Sequence, residues 1–136
     1  MATTLKRIDT LKQAAFREDG FDGFLIFNDA NMVYFTGFSG ASALLIPKNG
    51  ESTVYVYGVN YAQAKAEFAG VTVELVERGE NLMDEIAKHA KAFKVEKLAV
   101  DALNIESWRA LSKSLGSEKM LAADPNFIRE LRKVKD

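Results

Sequence analysis

Apolar residues recur along this chain with two different periods, and these periods predict both helices and strands. Near the start, Leu5, Ile8 and Leu11 lie three residues apart, which predicts an amphipathic helix over residues 4–18. Four short β-prone runs follow, at residues 24–27, 32–35, 43–46 and 53–57. Only short turn segments such as Asn49-Gly50 separate them, so we expect this half to be at least partly antiparallel.

The second half of the chain alternates helical and strand patterns. Strands are predicted at residues 71–76 and 97–100. Helices are predicted at residues 61–68, 82–93, 105–115 and from the Asp124-Pro125 pair onward. Helices between strands imply parallel crossovers. The expected fold is therefore a three-layer α/β domain, with a mixed sheet of about six strands flanked by about five helices.

Composition narrows the function classes. The chain has 136 residues, 48% hydrophobic and 27% charged, with a net charge of −1, as expected for one soluble globular domain. This charge balance argues against a nucleic-acid or anionic-membrane binder. There is no cysteine and one histidine, which excludes thiol chemistry and any metal site built on two imidazoles. No secretory leader or membrane span is recognisable, so we expect a cytoplasmic protein.

One segment comes close to a catalytic motif. Residues 37–41 differ by one position from the G-x-S-x-G nucleophile elbow, with Ser39 as the serine. A triad would use His89 as the base and Asp101 or Asp124 as the orienting acid. The elbow requires a helix after the serine, whereas a strand is predicted here. A small serine hydrolase is therefore a disfavoured alternative.

The remaining candidates do not form a catalytic set. His89 lies at the edge of a predicted apolar helix stripe, as a boundary residue does. Asp101 follows a buried strand of the predicted parallel region, where α/β proteins place their sites, and is the best single carboxylate candidate. A well-formed α/β body without a catalytic set favours an accessory domain over a complete enzyme.

Several stretches resemble one known family. Residues 31–40, Asn-Met-Val-Tyr-Phe-Thr-Gly-Phe-Ser-Gly, resemble the N-x-x-Y-[LF]-T-G-F segment of the creatinase/prolidase amino-terminal domain. Residues 61–64 are similar to its R-Y-x-x-Q-A helix start, and residues 127–135 to its L-R-x-[IV]-K linker. The resemblance implies a ribonuclease H-like fold over residues 1–125. Residues 126–136 would begin a linker helix to a catalytic domain absent from this chain, and the last helix indeed has no stop signal.

The resemblance also implies a function. This domain precedes the catalytic domain of Xaa-Pro aminopeptidases and Xaa-Pro dipeptidases, which are metal-dependent hydrolases. The catalytic domain would hold two divalent ions (Mn, Co or Zn), and none of their ligands can be assigned in this sequence. This chain would be non-catalytic and serve oligomerisation and substrate gating. Its partners would be its own catalytic domain, a second copy in a dimer, and the parent's proline-containing peptides.

A strand-connecting loop is the implied gating element. By position it carries Phe38, Ser39 and Ser42, which either approach a partner subunit's substrate or only shape the turn. Family members often have T-D-x-R-Y at the end of the fourth strand, where this chain has Tyr57 and Asn60 in place of the charged pair. The sequence does not separate aminopeptidase, dipeptidase and creatinase-like activity. A stand-alone ligand-binding α/β domain is the second hypothesis.

Overall fold

The computed structural model describes residues 2–16, 21–38, 40–68, 70–77, 80–123 and 125–133. Helices and strands alternate along most of this length. In chain order the elements are α1 (Ala2–Ala15), β1 (Gly23–Ile26), α2 (Asp29–Thr36), β2 (Ala43–Pro47), β3 (Thr53–Tyr57), α3 (Gly58–Glu67), β4 (Thr72–Val76), α4 (Leu82–Ala92), β5 (Leu98–Val100), α5 (Ile105–Leu115), β6 (Met120–Ala122) and α6 (Pro125–Lys133).

The strands form one mixed sheet in the order β4-β3-β2-β1-β5-β6. The β1–β2 and β2–β3 pairs are antiparallel, and the β3–β4, β1–β5 and β5–β6 pairs are parallel. The sequence predicted that the first half is partly antiparallel and that helical crossovers join parallel strands. Both predictions are confirmed. At the start of β1, the Asp22 carboxylate accepts hydrogen bonds from the backbone N–H groups of Glu96 (2.9 Å) and Lys97 (2.8 Å), which fixes the segment before β5.

Helices cover both faces of the sheet and complete three layers. Successive strand residues point to opposite faces, so Phe24 and Ile26 pack with α1, α2, α3 and α6, whereas Leu25 packs with α4 and α5. All four residues of β1 and all five of β2 are buried, which explains their continuous apolar runs. The predicted α/β fold with a six-stranded mixed sheet is confirmed.

One predicted strand is wrong. Residues 32–35 belong to α2, a helix, despite their β-prone composition. The Asn28 side chain caps its first turn by accepting from the Asn31 N–H at 3.0 Å, and Gly37 ends it in the left-handed conformation, with φ +66°. The buried side chains of α2 are Met32, Phe35 and Thr36, at helical spacing. Local capping outweighs strand propensity here, because strand propensity depends mainly on context.

One strand was not predicted. β6 has three residues, of which only Met120 is buried, so its sequence carries no alternation to detect. The predicted number of six strands is right only because this omission offsets the error at α2. The first helix also ends earlier than predicted, at Ala15. The predicted end of this helix at residue 18, and Asp124 of the predicted Asp124-Pro125 helix start, lie outside the described residues.

The glycine that ends α2 provides a test of this helix. A Cβ atom at Gly37 or at Gly58 would meet nothing within 4 Å, but only Gly37 has a positive φ. We expect Gly37→Ala to lower the free energy of unfolding by about 1–2 kcal/mol, because L-residues are strained in the left-handed region. The matched control Gly58→Ala, in the first turn of α3, should be neutral or stabilising. Urea unfolding measures both, and equal effects would contradict the assigned end of α2.

Candidate functional site

Most strands of the sheet end at one edge, here called the carboxyl edge. Of the strands described, β2 alone runs against the others, so the loop before it lies at the same edge. We call residues 37–42 the β2 loop. Open α/β sheets place ligands outside the carboxyl ends of their strands. In this chain that location gathers the β2 loop, the end of β3 with the first turn of α3 (residues 57–60) and the β5–α5 connection at residues 101–104.

Asp101 joins two parts of the carboxyl edge. Its carboxylate accepts hydrogen bonds from the backbone N–H groups of Phe27 (2.7 Å), Asn28 (3.1 Å) and Ala102 (2.6 Å), and from the Asn31 side-chain amide (2.9 Å). Its place after a predicted buried strand made Asp101 the best carboxylate candidate in the sequence, and β5 does end directly before it. A carboxylate that accepts from four donors fixes local structure. Asp101 therefore holds the start of α2 against the end of β5.

The aromatic side chain of Phe38 is buried beneath the β2 loop. It is only 6% exposed, and its ring packs edge-on against Phe68, with ring centroids 5.8 Å apart. Its backbone N–H donates to the hydroxyl of Thr36 at 3.1 Å. Phe38 thus attaches the loop to the core and presents no side chain at the surface. Ser39 lies outside the described residues, and Ser42 is half-buried.

Asn60 holds the tip of the β2 loop. Its side-chain amide donates to the carbonyl of Gly40 at 3.2 Å. A Cβ atom at position 40 would lie 2.8 Å from both the Asn60 side chain and the Phe38 ring, so only glycine fits without a shift. The Ser42 N–H donates to the Tyr55 carbonyl at 2.8 Å. The loop is therefore attached at both ends and in the middle.

An open cleft of about 880 Å³ lies at the carboxyl edge, on the face covered by α4 and α5. Side chains from the ends of β1 and β3 and from the first turns of the two helices line it. The apolar ones include Phe27, Tyr57, Leu82 and Leu103, and Glu80 and Glu106 add negative charge. Its volume is within the range of small-ligand sites.

Three large apolar side chains are exposed at or beside this edge. Tyr57 is 46% exposed, Val59 in the first turn of α3 is 91% exposed, and Ile105 at the start of α5 is 71% exposed. Isolated exposed apolar residues are ordinary on a protein surface. Tyr57 ends β3, and Val59 and Ile105 begin the helices that follow β3 and β5, so part of the exposed apolar surface of the described residues lies at the carboxyl edge.

His89 belongs to a separate side-chain cluster between the sheet and α4. Its Nδ1 lies 2.7 Å from the Tyr55 hydroxyl, and the two rings stack with centroids 5.6 Å apart. Its Nε2 lies 3.8 Å from a carboxylate oxygen of Glu74, and Glu85 completes the group. Burial raises the pKa of Tyr55 far above its ordinary value of 10, and the charges of Glu74 and Glu85 raise it further. The phenol therefore stays protonated at physiological pH.

The serine-hydrolase alternative finds no support in these contacts. His89 contacts Tyr55 and Glu74, whereas the Asp101 carboxylate is occupied by donors at the carboxyl edge. The structure does not bring these two residues together as a base and its orienting acid. Ser39 and Asp124 lie outside the described residues. The strand β2, not a helix, follows the loop, as the sequence analysis expected.

Comparison with known families decides the assignment. The sequence model of the Creatinase/Prolidase N-terminal domain matches residues 7–134. The chain belongs to this family. The resemblance that the Tyr-Phe-Thr-Gly-Phe segment suggested is thereby confirmed, and the match spans the whole three-layer fold.

Solved structures and a curated relative agree with the creatinase/prolidase assignment. An Xaa-Pro dipeptidase from Bacillus anthracis superposes with a TM-score of 0.81 at 24% identity, over 98% of this chain and 37% of its own. An X-Pro aminopeptidase from Thermotoga maritima superposes with a TM-score of 0.74 at 28% identity, over 90% of this chain and 36% of its own. The uncharacterized peptidase YqhT of Bacillus subtilis is 30% identical over 87 residues, 63% of this chain and 24% of its own.

This creatinase/prolidase domain therefore spans only about a quarter to a third of the length of these relatives. The family is one of metallopeptidases. Within the described part of the chain, no helix is long and apolar enough to cross a membrane.

The domain also shows what the sequence analysis missed. The structural role of Asn60 was not predicted, and its side-chain amide holds the β2 loop. The cluster of Glu74, Glu85 and His89 was not foreseen, because it joins β4 to α4. Part of it was detectable, since Glu85 and His89 are four residues apart and so share one helix face.

Proposed function

We propose that this chain is the non-catalytic amino-terminal domain of a metal-dependent Xaa-Pro peptidase, of aminopeptidase P or prolidase type. The observation that carries the proposal is the family match over residues 7–134. Proteins named as Xaa-Pro peptidases contain a domain of this fold within chains about two and a half times as long. A related domain is that of a cytoplasmic peptidase from Mycobacterium tuberculosis, in line with a cytoplasmic location for this one.

The two divalent ions (Mn, Co or Zn) would be held by the catalytic domain, where they would activate the attacking water. This chain would supply no catalytic group and would instead limit which substrates reach the active site. In the proposal, the β2 loop with Phe38, Ser39 and Ser42 lies beside a neighbouring subunit's substrate and limits peptide length. The buried ring of Phe38 favours this role indirectly, because an anchored loop excludes long peptides better than a loose one.

Assembly would use the carboxyl edge. The exposed side chains of Tyr57, Val59 and Ile105 offer apolar area that the isolated chain leaves in contact with water. We propose that the domain's own catalytic domain or the second subunit of a dimer covers them. Proline-containing peptides would be the substrates of the assembled protein.

The first test is the reading frame after Asp136. If it encodes two aspartates, a histidine and two glutamates as metal ligands, the encoded protein should hydrolyse Xaa-Pro peptides with added Mn²⁺. Dipeptides, longer peptides and creatine as substrates then distinguish prolidase, aminopeptidase and creatinase-like activity. A stop codon directly after Asp136 would overturn the peptidase proposal.

Gating is tested in that longer protein by Asn60→Ala. Loss of the hydrogen bond to the Gly40 carbonyl should free the β2 loop at a cost of about 1 kcal/mol, which corresponds to about a fivefold change in an equilibrium. We expect the ratio of kcat/KM for a pentapeptide to that for a dipeptide to rise severalfold. Gln63→Ala, on the same helix, is the control, since its side chain bonds that of Glu67 and not the β2 loop in the described structure. An unchanged ratio in Asn60→Ala argues against gating by this loop.

The open cleft supports the second hypothesis, a stand-alone ligand-binding domain. Its volume of about 880 Å³ and its mixed lining would suit a small molecule. If the natural chain ends at Asp136, we expect a ligand screen by thermal shift to give hits that Leu103→Ala weakens. Hits insensitive to that substitution would place the ligand elsewhere.

A further inference from the structure

Three side chains of metal-ligating types lie close together on one face of the sheet. This face is opposite to the one that buries Phe38. Glu74 is in the middle of the edge strand β4, paired with Tyr55 of β3. Two residues further on, Val76 is buried in the core beneath α4 and α5, so Glu74 points towards α4 as well. Glu85 and His89 lie one turn apart on α4. One ligand atom from each of the three residues lies within 4.8 Å of the others.

The charge of this cluster is unbalanced. Two carboxyl groups face a single histidine here, so the acidic side chains outnumber the basic one. Among the residues that the structure describes, no lysine or arginine forms an ion pair with either glutamate, and the Nε2 of His89 stays 3.8 Å from Glu74. That separation is too long for a hydrogen bond. A cation between the three groups would supply the missing positive charge.

The spacing suits a small transition-metal ion. Ligands held tetrahedrally at about 2.0–2.1 Å from Zn²⁺ are about 3.4 Å apart. The observed 3.8 Å between His89 Nε2 and Glu74 Oε1 is close to this value. The Glu74 side chain is 34% exposed and can change rotamer, so it can close the remaining gap. One imidazole nitrogen with two carboxylate oxygens is a ligand set that Zn²⁺ accepts.

Tyr55 fixes the orientation of the imidazole. Its hydroxyl bonds Nδ1 at 2.7 Å and its ring stacks on that of His89, which leaves Nε2 facing the glutamates. Histidine ligands in metal sites almost always bond a second group through the other ring nitrogen. A hydroxyl that accepts from Nδ1–H would keep Nε2 free to bind a metal.

We propose that Glu74, Glu85 and His89 form a binding site for a first-row divalent cation, with Zn²⁺ as its representative. A water would take the fourth position. Bound there, the ion would fasten the edge strand β4 to α4. The inference rests on these contacts alone and does not depend on the proposed peptidase function.

The test is a titration of the untagged chain with ZnCl₂. A solved structure from M. tuberculosis consists of a related N-terminal domain alone, and this chain has two core clusters of its own, so the chain is a suitable sample. We expect one ion per chain by calorimetry. With one histidine and no cysteine in the sequence, the ring signals of His89 can be followed by NMR and should shift in step with binding.

Three variants distinguish this site from surface binding. Glu85→Gln should weaken Zn²⁺ binding at least tenfold, because it removes a ligand charge, and Tyr55→Phe should weaken it about tenfold by releasing the imidazole. Glu130→Gln, at an exposed glutamate on α6, should bind Zn²⁺ as the unmodified chain does. No saturable binding, His89 signals that do not shift, or equal affinities in all variants would each overturn the proposal. The NMR result on the unmodified chain holds even if a variant fails to fold.

Discussion

Replacement of Phe35 by alanine is expected to lower the free energy of unfolding by about 3–5 kcal/mol. The side chain is 1% exposed and is part of the core between the sheet and the helices α1, α2, α3 and α6. Its removal leaves a cavity that the anchored ends of α2 prevent from collapsing. Urea denaturation followed by circular dichroism measures the change through the midpoint at constant slope.

The control is Val33→Ala on the same helix. Val33 is 46% exposed, so its truncation should change stability by no more than about 0.5 kcal/mol. In the strand that the sequence predicts for residues 32–35, positions 33 and 35 would share a face. Similar losses at Val33 and Phe35 would therefore argue for that strand and against α2.

Asp101→Ala is the second substitution with a large expected effect, about 2–4 kcal/mol of lost stability. It leaves the N–H groups of Phe27 and Asn28 and the amide of Asn31 without their acceptor. Each of these donors holds the turn between β1 and α2, so the turn should also loosen. Hydrogen exchange at Phe27 and Asn28 reports on the loosening, and chemical unfolding gives the total loss.

Two further variants separate the role of the carboxylate from a general charge effect. Asp9→Ala removes an exposed charge from α1 and should be near neutral. Asp101→Asn keeps the size of the side chain but replaces one acceptor oxygen by an NH₂ donor that faces backbone donors. We therefore expect a loss of stability intermediate between those of Asp9→Ala and Asp101→Ala. If Asp101→Ala behaves like Asp9→Ala, Asp101 does not hold this edge together.

The sequence predicted most of this fold because most elements carry their signals locally. β2 and β3 are apolar runs around an Asn-Gly turn, and the caps Asn81 and Asn104 both accept hydrogen bonds from the first turns of their helices. The errors have equally local causes. α2 is composed of β-prone residues and depends on Asn28 and Gly37 at its ends, and β6 is too short to show a period.

Functional residues were predicted less completely, because they meet through tertiary structure. Asp101 could be found, since the end of a parallel strand is a position that a sequence reveals. The sequence does not reveal that the Asp101 carboxylate accepts hydrogen bonds from N–H groups 70 or more residues earlier in the chain. His89 was predicted to be a boundary residue. Its partners Tyr55 and Glu74 come from β3 and β4, and the spacing of residues within α4 does not reveal them.

The parallel pairing of β1 with β5 has a consequence for synthesis on the ribosome. The Asp22 carboxylate can accept its hydrogen bond from the Lys97 N–H only after that residue, 75 positions further along the chain, has been synthesised. At about 5–20 residues per second, this N–H is made roughly 4–15 s later. For most of that time α4 has not been completed, and α5 is made only afterwards, so the face of the sheet that carries Leu25 and Leu45 lacks the helices that cover it. The nascent chain therefore passes through an interval in which it is open to holdase chaperones and to aggregation.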